Sequence, residues 1–139
     1  MFIKGEMEIL IIDSGSQEEE GEIVREYQSR YDRIRYFRTE QRETLYRSWN
    51  RAVEKAQGEY LTNANTDDRH ESNCIEILAN TLDENPDCGL CYGNLFKSSD
   101  PNQSFNHQDE SNLCESQEFF PASALLHCTN GAQPLWRKA

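Results

Sequence analysis

Two adjacent carboxylates, Asp67 and Asp68, lie in the stretch "YLTNANTDDRH" (Tyr60–His70), followed at once by Arg69 and His70. Charges this close repel unless something positive compensates them. A divalent cation with oxygen ligands is the usual compensator, and Mn or Mg suits carboxylate, carbonyl and water better than Zn does. Such an ion keeps coordination positions that phosphate oxygens can fill. The plainer alternative is that Asp68 caps the next helix while Asp67 is solvated. A second cluster is "DSGS", Asp13–Ser16. Ser14, Gly15 and Ser16 offer backbone N–H groups near a helix start, which can hold a phosphate or the edge of a nucleotide base. Alone, the cluster also reads as a tight strand-to-helix turn. Neither G-x-G-x-x-G nor a Walker lysine motif occurs, so no dinucleotide or P-loop reading is supported. Arg42, Arg47, Asn50 and Arg51 sit before or within a helix, where arginine suits phosphate and a solvated face is the ordinary alternative. His70 could touch a sugar or phosphate, or nothing specific.

The elements that must position these residues follow from periodicity. "EILIID" (Glu8–Asp13) is an apolar run ended by a turn and reads as a strand buried on both faces. Ser16 with Glu19 forms a capping-box pattern, and the helix behind it would bury Ile23, Val24, Tyr27 and Tyr31. "IRYF" (Ile34–Phe37) is a second strand. "TEQRETLYRSWNRAVEKAQGEY" predicts a long helix with Leu45, Trp49, Ala52, Val53 and Ala56 as its apolar stripe and Gly58 as its cap. "EYLTNA" is a third strand. A helix near Asn73–Asp83 buries Ile75, Leu78 and Leu82 and ends at "NPD". "GLCYGNLF" is a fourth strand. Strands alternating with helices predict an α/β fold, a mostly parallel sheet with helices on both faces. Ligands of such sheets bind beyond the carboxyl ends of the strands, where "DSGS" and "NTDD" both fall.

Composition narrows the partners. Leu, Ile, Val and Phe make up about a fifth of the 139 residues, close to the level at which a core becomes thin. The net charge of -11, from 25 acidic and 14 basic residues, disfavours nucleic acid and anionic membrane surfaces as partners. No apolar run approaches the length of a membrane span, and the start lacks the pattern of a secretory signal. Five cysteines, Cys74, Cys88, Cys91, Cys114 and Cys128, are an odd number for a disulfide framework and fit a reducing compartment. "CGLC" matches C-x-x-C, yet it falls in a predicted strand and has no second pair, so free thiols are the simpler reading. The expected location is cytoplasmic, or peripheral to the membrane. Residues 97–118 are polar and predict a long surface loop, while "PLWRK" looks built to pack against something.

Together, "EILIIDSGSQEE…IVREY", "RETLYRSWNRAVEKAQGEYLTNANTDDRH", "GLCYGN" and "PLWRK" resemble family 2 glycosyltransferases. The resemblance implies a GT-A (Rossmann-like) fold, with residues 1–139 as one partial domain. Within it, 8–96 would form a nucleotide-sugar-binding core, 97–118 a loop and 119–139 the start of the acceptor side. It implies that Asp67 and Asp68 hold a divalent metal, Mn or Mg, on the diphosphate of a nucleotide-sugar donor. It further implies that Asp13 helps bind the base, and that Asn50 in "WNRA" lines the donor pocket. Asn65 stands where the family's D-x-D-D pattern has its first acid; its amide can bond a ribose hydroxyl but adds no charge. Ser14, beside Gly15, stands where many members have a second acid.

The implied activity is transfer of a sugar from such a donor to an acceptor hydroxyl on a glycan, lipid or protein, with inversion suggested by the family. A divergent alternative is a non-catalytic remnant that binds a nucleotide or partner without turnover. A receiver-type domain is a third, but "GLCYGN" lacks the lysine and hydroxyl it would need. The family's usual first strand and acceptor half are not recognisable here, which predicts a truncated sheet with an open apolar edge and self-association through it. Nothing nominates a catalytic base among Asp109, Glu110, Glu115 and Glu118.

Overall fold

A computed structural model describes residues 7–100, 103–105, 110–116 and 133–138. The chain folds as two compact units, one running through Glu59 and including Lys138, the other holding Tyr60–Arg137.

In the first unit, β1 (Ile9–Asp13) pairs in parallel with β2 (Ile34–Arg38), Ile9 opposite Ile34 and Asp13 opposite Arg38. The crossover between them is α1 (Glu20–Gln28), as parallel pairing requires. β1 is half-buried rather than buried on both faces; only Asp13 is fully enclosed. The inward row of α1 is also not the expected one. Gly21 and Val24 are buried and Gln28 donates to the Ile34 carbonyl at 2.9 Å, whereas Ile23, Tyr27 and Tyr31 are half exposed or more. A close approach explains the choice: a Cβ on Gly21 would meet the Tyr36 hydroxyl at 3.2 Å. The expected capping box does not form either. Glu19 is the N-cap with no side-chain hydrogen bond, and Ser16 is turned toward Asp13.

α2 is Leu45–Lys55, shorter than expected. Thr44 caps it, its Oγ1 accepting from the Arg47 N–H at 3.4 Å. Ala56, not Gly58, is its C-cap. Its inward row is made of small side chains, Ser48, Ala52 and Ala56, which let the helix lie close to β1. Leu45, Trp49 and Val53 flank that row and are 60%, 42% and 38% exposed, Trp49 meeting Tyr46 edge-on. At the far end Glu8 accepts from the Gly58 N–H at 3.2 Å and from Arg35 at 2.7 Å. Arg35 also donates to the Lys55 carbonyl at 2.9 Å. Burial would raise the Glu8 carboxyl, but the Gln57, Arg35 and Gly58 donors outweigh it and hold the group below its ordinary value.

The second unit corrects the expectation of a mostly parallel sheet. β3 (Tyr60–Thr62), β4 (Leu90–Cys91) and β7 (Leu135–Arg137) form a sheet in the order β3-β7-β4, with β7 antiparallel to both neighbours. "PLWRK" is thus the central strand of this sheet. Leu135, 2% exposed, packs with Leu78 and Leu82 of α3 (Cys74–Glu84) in the unit's apolar core. α3 ends at Asn85, as "NPD" implied. "GLCYGNLF" is not one strand. It breaks after Cys91, and β5 (Leu95–Phe96) instead pairs antiparallel with β6 (Leu113–Cys114), which follows a single 3-10 turn at Glu110–Asn112. Part of the expected polar loop is therefore ordered, closed by Ser116 donating to Asn94 Oδ1 and to the Gly93 carbonyl.

Candidate functional site

In the first unit, the site residues are organised by Asp13. Its carboxylate, 5% exposed, ends β1 and accepts from the Ser16 N–H at 2.7 Å, from the Ser16 hydroxyl and from the Tyr36 hydroxyl. Arg38 Nη1 lies 3.4 Å away. Burial alone would push this carboxyl up; the Ser16 and Tyr36 hydrogen bonds and the Arg38 charge outweigh it and hold it below its usual value. The Tyr36 hydroxyl is held above its usual value, first by its bond to that carboxylate. Asp13 thus spends its charge shaping the turn. Gly15 has φ +67°, and a Cβ there would meet the Arg42 amide nitrogen at 3.2 Å. Ser14 bonds Glu43 through both partners, its hydroxyl donating to the carbonyl at 3.2 Å and accepting from the amide.

Residues 39–44, expected to be helix, are the loop that meets this turn. Its anchor is Glu43, which takes a two-bond fork from Arg51, at 3.0 and 2.6 Å. That fork first of all holds the Glu43 carboxyl below its usual value. Between turn and loop lies a cleft of about 520 Å³ lined by Ser14, Gly15, Ser16, Gln17, Glu20, Glu40 and Arg42. It is large enough for a base or a sugar ring. Asn50 is exposed on α2 and does not line it. Gly15→Ala should cost about 1–2 kcal/mol, because an L side chain is strained at positive φ and its Cβ presses on the 41–42 backbone. Urea unfolding followed by Trp49 fluorescence in a Trp136→Phe background checks this.

In the second unit, residues 65–68 form a turn closed by the Asp68 N–H on the Asn65 carbonyl at 3.3 Å. The Asn65 amide donates to Asp68 Oδ2 at 2.7 Å, and Asn63 donates to Asn65 Oδ1 at 3.4 Å. Asp67 is exposed at the tip. Asp68 caps no helix: α3 begins at Cys74, with Asn73 as its N-cap. A residue that no local signal marks completes the site. Gln133 Nε2 donates to the same Asp68 oxygen at 3.0 Å. His70 keeps a buried Nε2 with no hydrogen-bond partner among the described residues.

No three His, Cys, Asp or Glu side chains among the described residues come together as a metal cage. "CGLC" makes no zinc site there, and Cys74, Cys88, Cys91 and Cys114 are free thiols. The acidic turn nevertheless fits Mg or Mn, which are commonly held by one or two carboxylates with water and phosphate completing the shell. Its two acids carry no ion pair to a described basic side chain closer than 4.0 Å. Of the acids without a nominated role, Glu115 is exposed, while Asp109 and Glu118 lie outside the described residues, as does Cys128.

The glycosyl transferase family 2 profile matches residues 3–139. The chain belongs to that family. The family carries a GT-A type of α/β fold, here with one parallel pair and an antiparallel three-stranded sheet. This family 2 chain is also similar to "Glycosyltransferase GlyG" of Streptococcus pneumoniae serotype 4 (strain ATCC BAA-334 / TIGR4). The two are 28% identical over 99 residues, covering 71% of this chain and 33% of the relative. The chain therefore spans about a third of that protein's length. Among its described residues, no helix is long and apolar enough to cross a membrane.

Proposed function

We propose that this chain is the donor-binding part of a glycosyltransferase that moves a sugar from a nucleotide-diphosphate-sugar to an acceptor hydroxyl. The observation that carries the reading is the acidic turn: in a family 2 chain, it presents two exposed carboxylates, one of them held by two amides. Asp67 and Asp68 are assigned to a divalent cation, Mn or Mg. When bound there, the cation supplies Lewis-acid stabilisation of the leaving diphosphate, worth several kcal/mol. Asp13, Ser14, Gly15, Asn65 and Asp67 are assigned to the donor, and Asn50, exposed on α2 outside the cleft, is assigned to it by the family resemblance alone. Asp13 serves by fixing the turn, and Ser14 and Gly15 by lining a preformed cleft, so that less freedom is lost when the donor is bound. Arg42 adds a cationic group to that cleft. In this reading residues 1–139 form one partial GT-A domain, with 8–96 as its nucleotide-sugar-binding core, 97–118 as a loop and 119–139 as the start of the acceptor side. A cytoplasmic location, free or at a membrane surface, agrees with the four free thiols among the described residues. Self-association through the edge of β1 not paired with β2 belongs to the same proposal.

The test is calorimetric titration with UDP-, GDP- and dTDP-sugars with and without Mn, alongside nucleotide release in the presence of candidate acceptors. Binding to one donor class should require Mn, and Asp67→Ala should weaken it at least about tenfold. No binding to any donor would end the reading. Metal-dependent binding without release would favour a non-catalytic chain.

A further inference from the structure

We propose that Gln133 is a positioning residue of the acidic turn, fixing Asp68 from the far end of the chain; this rests on the metal reading of Asp67 and Asp68. The sheet register puts it there. β3 and β7 run antiparallel with Thr62 opposite Leu135. Extending that ladder two residues sets 133 opposite 64, beside the turn that Asn65 opens. Gln133 lies two residues before β7, the central strand held by β3 and β4 at once.

Its side chain does two things that together point to a role at the site. Gln133 Nε2 donates to Asp68 Oδ2 at 3.0 Å, the oxygen that Asn65 also engages at 2.7 Å. Two amide donors on one oxygen orient the carboxylate, while Oδ1 has no hydrogen bond among the described residues. A ligand carboxylate oriented in this way needs no reorganisation to meet a cation, which is how outer partners tune metal sites. The other end of the same amide, Oε1, is buried without a partner among the described residues. A buried, unmatched acceptor costs stability in the resting fold. A residue chosen for packing alone would be better as a hydrocarbon of the same length. Glutamine at 133 therefore favours the Asp68 contact over stability.

Opposite signs in two measurements test this. Mn2+ binding is followed by the change in its EPR spectrum relative to a protein-free control holding the same UDP or GDP, and thermal unfolding is measured without metal. Gln133→Met, equal in length but without donor or acceptor, should raise the Mn2+ dissociation constant about tenfold. Its metal-free midpoint should stay level or rise. In the unaltered protein, Mg2+ with the same nucleotide should shift the NMR signals of the Gln133 side-chain amide. The proposal is overturned if the variant binds Mn2+ as the parent does while Asp68→Asn does not, and the metal reading then stands. It is also overturned if the variant melts well below the parent or fails to fold, since the role is then structural. A parent chain that takes up no Mn2+ with either nucleotide overturns both readings.

Discussion

Arg137→Met should destabilise the unit holding Tyr60–Arg137 by about 3 kcal/mol, the sum of several charge-assisted bonds discounted for partial exposure. Arg137 Nε donates to the Cys88 carbonyl at 3.1 Å, Nη1 to the Tyr60 hydroxyl at 2.9 Å and Nη2 to the Leu82 carbonyl at 2.5 Å. The guanidinium also lies 5.2 Å from the Tyr60 ring centre. One side chain thus ties β7 to the last turn of α3, to the loop before β4 and to β3. The Leu82 carbonyl, in the last turn of α3, also accepts from the Asn85 N–H at 3.1 Å, so Arg137 fills its second acceptor position. Asp83 accepts from the Tyr60 hydroxyl, and that bond is the first cause holding the hydroxyl above its ordinary value. Met keeps the hydrocarbon stem and loses the fork. Arg137→Lys should recover less than half, because an ammonium cannot reach three divergent acceptors. With two tryptophans in the chain, Trp49→Phe leaves Trp136, on β7, as the sole indole reporter. In that background, the methionine change should lower the thermal midpoint by roughly 10–20 °C. A shift below about 3 °C would show that water replaces the fork at little cost.

How far the sequence discloses the structure depends on the range of each signal. The first three strands, the three α-helices of the described residues and the acidic turn are legible because each announces itself within a dozen residues, through an apolar run, a cap or a breaker. Which face of a helix is buried is less local. On α1 and α2 the bulky stripes Ile23/Tyr27/Tyr31 and Leu45/Trp49/Val53 sit beside the rows that touch the sheet. Those rows, Gly21/Val24 and Ser48/Ala52/Ala56, are small and let the helices come close. Hydrophobic periodicity ranks apolar mass, whereas close packing rewards fit. The pairing of β7 between β3 and β4 is legible least of all, since its partners lie about 45 and 75 residues earlier. Gln133 escapes a sequence reading for the same reason. Its hydrogen bond to Asp68 spans 65 positions, and no spacing rule reaches so far. The loop of residues 39–44 hides inside a helical pattern, although Thr44 with a good helix behind it is the available signal for a later start.

Asp13→Asn should destabilise the first unit by about 3 kcal/mol at neutral pH, and the size of that loss should depend on pH in a defined way. The change keeps the shape of the side chain but turns one acceptor into a donor, facing Ser16 or Tyr36 donors that are already buried. It also removes the carboxylate charge that Arg38 faces. In the parent, the Asp13 carboxyl is held below its unfolded value, near 3.9. A group depressed in this way contributes its full stability above the unfolded value and loses it as pH falls through the folded one. The difference between parent and variant should therefore be flat from about pH 5 to 8 and shrink below about pH 4. Glu8 is depressed as well, but it titrates in both proteins and cancels in the difference. Tyr36 gives the opposite limb. Its hydroxyl is raised by the bond to Asp13, so its contribution is whole below about pH 10 and is lost at higher pH as the phenol ionises. The stability difference should accordingly narrow at both extremes. Urea unfolding at stepped pH, read by Trp49 in a Trp136→Phe background, measures it. A difference that stays constant down to pH 3 would mean that Asp13 holds the "DSGS" turn by shape and not by charge.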